Sequence, residues 1–94
     1  MPEVCLKVTW PDQSSSEHIS PSTIIKTYFE SNSEMPLDEF VAQADKAFTH
    51  ASDRVMERFG FHCSQASAAL ADIKQRAVNQ SSGSVRVEEM RVLG

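Results

Sequence analysis

Residues 35–61, MPLDEFVAQADKAFTHASDRVMERFGF, hold the longest regular pattern in the chain. Phe40, Val41, Ala44, Phe48, Ala51, Val55 and Phe59 recur at helical spacing and form one broad apolar stripe. Pro36 suits a first helical position, and Asp38 and Glu39 place negative charge where the free N–H groups of a helix start favour it. Gly60 can take the positive φ that ends a helix. The pattern therefore predicts a helix from Pro36 or Leu37 to Phe59, with Phe61 turning back into the core.

Working outward, ESNSEMP before this helix reads as a polar connector. It is preceded by a second predicted helix, with Ser20 as its cap, Pro21 as its first position and Ile24, Ile25, Tyr28 and Phe29 at helical spacing, stopping near Glu30. Further upstream, Val4, Leu6, Val8 and Trp10 alternate with Glu3, Cys5, Lys7 and Thr9, the period of a strand with one apolar face. WPDQSSS supplies a turn through Pro11 and Asp12, and Ser15 to Ser20 is expected to return as a weaker strand with Ile19 facing the core.

On the C-terminal side a third helix is expected from Ser64 to Asn79, lined by Ala66, Ala69, Leu70, Ile73 and Ala77, with Asp72 and Arg76 as an outer i,i+4 pair. QSSGS then reads as a loop. Val85 and Val87, alternating with Arg86 and Glu88, form a last strand whose expected partner is the first. The predicted fold is a single α+β domain over residues 1–94: a short antiparallel three-stranded sheet with three helices on one face, in the order ββαααβ.

Composition narrows the function classes. Thirteen acidic and nine basic side chains give a formal charge of −4, which disfavours a nucleic-acid partner. No apolar run has the length of a membrane span, and MPEVCLKVTWPD lacks the features of a signal peptide, so the expected location is the cytoplasm. Cys5 and Cys63 read as free thiols of a reducing compartment. Hydrophobic residues at 40% suffice for one core, and a homodimer through an apolar face is compatible with that modest supply.

Cys63 is the first candidate for chemistry. In FGFHCSQA it stands at or just before a helix start, where a thiolate is stabilised, with His62 beside it; the competing reading is a small buried thiol that fills space behind Phe61. Cys5, Trp10 and Tyr28 are candidates for an interface, Cys5 because it points away from Leu6 and Trp10, the two aromatics because they are amphipathic; each also suits the core. His18, His50 and His62 lack metal-ligand spacing, so no metal is expected. Asp53 and Glu57 share a helix face with Arg54 and Arg58 near them, which describes a solvated mixed-charge surface better than a catalytic pair. Gly60, Gly83 and Gly94 make no phosphate-binding loop, and no cofactor is implied.

KVTWPD, SPSTIIKTYF, FVAQADKAF and ASDRVMERFGFHCSQA, taken in that order, resemble a small bacterial family of nitrogen-starvation response proteins. The most specific parts are Trp10-Pro11-Asp12, Ser20-Pro21-Ser22 and Phe59-Gly60-Phe61 followed by Cys63. The resemblance implies expression under nitrogen limitation and genes beside a nitrilase, a radical-SAM protein, an acetyltransferase and a flavoprotein. It carries over no catalytic residues.

Three readings stay open on these residues. The first is a non-catalytic accessory or regulatory protein that binds another protein, one encoded in the same gene cluster. The second is a small thiol-dependent enzyme or carrier using Cys63 with His62. The third is a small-molecule-binding domain with an apolar pocket between sheet and helices.

Overall fold

The computed structural model describes residues 2–60 and 64–93. Along the chain run strands β1 (Glu3–Thr9) and β2 (Ser15–Ser20), a 3-10 helix (Thr23–Thr27), strand β3 (Ser33–Pro36), helices α1 (Leu37–Phe59) and α2 (Ser64–Val78), and strand β4 (Ser84–Leu93). The strands form one antiparallel sheet in the order β2-β1-β4-β3.

This corrects the expected three strands and three helices in two places. Only Thr23–Thr27 of the first predicted helix is helical, as a 3-10 turn capped by Ser22, whose hydroxyl accepts from Ile24 N at 3.2 Å. Thr23, Ile24, Ile25 and Thr27 are β-branched, a poor composition for an α-helix. Ser20, the expected cap, instead accepts from Ser22 N and donates to Ser22 O within the turn. The second correction is the connector, four residues of which form β3 against β4. Asn32, at φ 64, starts that return, and its N–H donates to Val87 O at 2.7 Å.

The central helix keeps its expected bounds. Asp38 and Glu39 occupy its first turn, and Gly60 closes it at φ 78 with its N–H on Met56 O. Phe40, Ala44, Ala47, Phe48, Ala51 and Val55 are buried, whereas Val41 is half-buried and Phe59 is exposed. The alanines let α1 and α2 approach closely, and both helices cover the same face of the sheet, over Val4, Leu6, Val8, Val85 and Val87. Trp10 and Phe40 meet edge-to-face at 5.5 Å, and Phe29 lies 5.4 Å from Phe40.

β2 is turned over relative to expectation. Ile19 lies opposite Cys5 on the open face, while Ser16, His18 and Ser20 point under α2 and are buried. At the other end of β1, the β4 register shifts between Lys7 and Val8, leaving Glu88 as the extra residue of a β-bulge. The bulge places Glu88 beside Thr9, whose hydroxyl donates to its carboxylate at 2.9 Å. Gly83 sits where these parts converge, at φ 124, its carbonyl accepting from Leu37 N and its Cα facing Pro11.

Candidate functional site

Helix α2 lies on β2, and this contact assembles a connected group of buried and half-buried polar side chains. Trp10 Nε1–H donates to Ser16 Oγ at 2.8 Å, Ser16 Oγ lies 2.7 Å from His18 Nε2, and His18 Nδ1 lies 3.4 Å from Asp72 Oδ2. Arg76 Nε donates to both carboxylate oxygens of Asp72 at 3.2 Å, the outer i,i+4 pair expected from the sequence.

Chemistry assigns every proton in this chain of contacts. The Asp72 carboxylate only accepts, so His18 carries its proton on Nδ1 and presents a lone pair at Nε2. The Ser16 hydroxyl then donates to Nε2 and accepts from the indole. Burial pushes the His18 imidazole below its ordinary value; nearby Asp72 opposes this and Arg76 adds to it, so the ring is held neutral.

A serine against an imidazole whose far nitrogen faces a carboxylate has the connectivity of a nucleophile, base and orienting acid. Its setting does not serve that chemistry. Ser16 and His18 are 8% and 3% exposed, and the serine oxygen is already occupied by the indole N–H. Surface grooves lined by Phe48 and Ala66, by Thr23 and Arg54, or by Leu37 and Val78 do not include Ser16 or His18. What the group does is fasten α2 to β2 without leaving a buried polar atom unpaired.

The sequence candidates fall in different places. His62 and Cys63 lie outside the described residues; α2 begins at Ser64, the next position. Trp10 is in the core, 1% exposed. Cys5 is also buried although it lies on the open sheet face, its Sγ–H donating to Glu17 Oε2 at 3.2 Å. Burial and then the Glu17 carboxylate raise its thiol above the ordinary value, which keeps it protonated and a poor nucleophile. Tyr28 is half-buried, its hydroxyl 2.9 Å from His50 Nδ1 and the rings edge-to-face. Among the described residues no group of three or more His, Cys, Asp or Glu is placed to hold a metal ion. No helix there is long and apolar enough to cross a membrane.

Apolar side chains reach the surface where α1 starts beside the end of α2. Leu37, Val41, Ala77 and Val78 line an open groove of about 510 Å³, with Asp38 and Lys74 on its rim. Val78 is 84% exposed, the highest value among the described large hydrophobic residues at the surface. Sequence reading missed both this groove and the buried Ser16–His18–Asp72 group. Their members are far apart in the chain, and the alternation of Ser16 and His18 is the only local signal that these two share a strand face.

The described residues thus define a small α+β domain: a four-stranded antiparallel sheet covered on one face by two helices, with a polar anchor inside and an apolar groove outside. The chain belongs to the family of nitrogen starvation-induced protein NitG, whose family model matches residues 5–90. No curated protein and no solved structure matches it.

Proposed function

We propose that this chain is a non-catalytic accessory or regulatory protein that acts under nitrogen limitation by binding an enzyme encoded in the same gene cluster. Membership of the nitrogen starvation-induced family supports the physiological setting. The observation that carries the reading is the apolar groove of Leu37, Val41, Ala77 and Val78, flanked by one acidic and one basic side chain. Apolar side chains held in the open by two packed helices cost solvation in the free protein and gain it back against a partner, and a rim of both charge signs sets orientation. The Ser16–His18–Asp72 group supports the non-catalytic part, since a sealed serine has no contact with a substrate.

The test is calorimetric titration of the purified chain against each of the nitrilase, radical-SAM, acetyltransferase and flavoprotein products of the cluster. Saturable binding to one of them, weakened at least about tenfold by Val78→Asp, is expected. No saturable binding to any of the four removes the main support of the proposal. Binding that Val78→Asp leaves unchanged removes the groove from it.

A further inference from the structure

Among the described residues, part of β4 has no strand on its outer side. β3 covers β4 only from Ser84 to Val87, so beyond the bulge residues 89–93 pair with β1 alone. Trp10 N–H donates to Ser14 O, toward β2, so the even-numbered residues of β1 direct their backbone groups to β2 and the odd-numbered ones to β4. Glu89, Arg91 and Leu93, opposite Lys7, Cys5 and Glu3, are therefore turned inward to β1. Met90 and Val92 direct their N–H and C=O groups outward, along the edge where Val87 O is taken by Asn32.

The side chains of this stretch are equally ordered. Met90 and Val92 stand on the helix side, opposite Leu6 and Val4, and Val92 is 46% exposed. Glu89 and Arg91 lie on the open face, 3.2 Å apart. The residues whose backbone faces the edge are thus neither charged nor proline, two of the devices that keep an edge strand from pairing, and the bulge at Glu88 lies before them.

We propose that a second copy of the chain completes this edge, the two β4 strands pairing antiparallel about a two-fold axis at Arg91. Residues 89–93 of each then face each other in reverse order, with Met90 opposite Val92 of the second copy. Among the symmetric registers, this one places both outward-facing residues of each strand opposite outward-facing residues, giving two doubly hydrogen-bonded pairs. A register centred on Met90 brings Val92 against the bulge at Glu88. The Arg91 register covers both Val92 side chains with Met90. On the open face the two opposed arginines repel, but each lies diagonal to Glu89 of the other copy, within reach of a long side chain, so the four charges sum to zero. This surface is separate from the groove between the helices and does not depend on the reading given to it.

Sedimentation equilibrium of the full chain, from low micromolar to millimolar, tests the pairing. The mass is expected to rise from that of the 10.5 kDa chain to twice it. Glu89→Arg places four arginines at the axis and Arg91→Glu four carboxylates, so each variant is expected to dimerise at least about tenfold more weakly. Mixed in equal amounts, the two variants set two arginines against two glutamates across the axis, with one opposed and two diagonal basic-acidic pairs, and a heterodimer is expected. Both side chains are more than half exposed, and circular dichroism checks that each variant is folded. A wild-type chain monomeric at every concentration, variants that dimerise like wild type, or a mixture that stays monomeric each overturns the proposal.

Discussion

Replacing Ser16 by alanine removes one oxygen that serves two buried partners. Trp10 Nε1–H loses its acceptor and His18 Nε2 loses its donor, in a region where Trp10 is 1% and His18 3% exposed. A buried polar group left unpaired costs about 1–3 kcal/mol, so the two together cost about 2–6 kcal/mol. At about 0.05–0.15 kcal/mol per residue the whole domain is stable by about 5–14 kcal/mol, so this single atom governs a large part of it. With a urea slope near 1.5 kcal/mol per molar, the unfolding midpoint should fall by about 1–4 M. Urea titration followed by far-ultraviolet circular dichroism measures this, with Ser67→Ala on the exposed side of α2 as a control of near-zero effect. Trp10→Phe removes the indole donor, so Ser16→Ala made in that background should cost less by about 1–2 kcal/mol. A loss below about 0.5 kcal/mol for Ser16→Ala, or none of this coupling, would refute the account of a dry, fully paired anchor.

Two further outcomes follow from the same packing. His18 is held neutral in the fold, below its ordinary value of 6.5, so the unfolded chain takes up the proton first as pH falls. Stability should therefore decline from about pH 6.5 downward, by at most about 1.4 kcal/mol per pH unit from this group, until the folded value is passed. Urea unfolding of wild type and His18→Gln at pH 7.5 and 5.5 isolates the effect, which the variant should lack. At Gly83, φ 124 is a conformation that side chains rarely adopt, and an added Cβ would stand 2.9 Å from Pro11 Cβ. Gly83→Ala should destabilise by about 1–3 kcal/mol, and thermal unfolding should show it as a clear drop in Tm, whereas an unchanged Tm would mean that the Pro11 turn moves freely.

How much of this was legible in the chain differs by element. Period-two alternation in β1 and period-3.6 recurrence in α1 and α2 are local signals, because one face of each element must be apolar whatever it packs against. Gly60 marked a helix end for an equally local reason, its tolerance of positive φ. The return of β4 to β1 also followed from pattern, since two alternating strands with one apolar face each are stabilised by sharing a sheet.

Tertiary structure decided the rest. Ser33–Pro36 has four residues and no alternation of its own, and it is a strand because β4 offers it an edge. The segment after Ser20 had helical spacing, but its β-branched residues and the path to β3 left only a 3-10 turn. The face of β2 was read from its single aliphatic residue, Ile19, whereas Ser16 and His18 go inside because Trp10 and Asp72, six residues before Ser16 and far along α2, complete their hydrogen bonds. The sequence by itself determined which elements have an apolar face, a property of neighbouring residues. Which polar groups are buried, and which apolar ones remain on a groove or an edge, depended on partners distant in the chain, because a buried polar group is tolerated only where the fold supplies its complement.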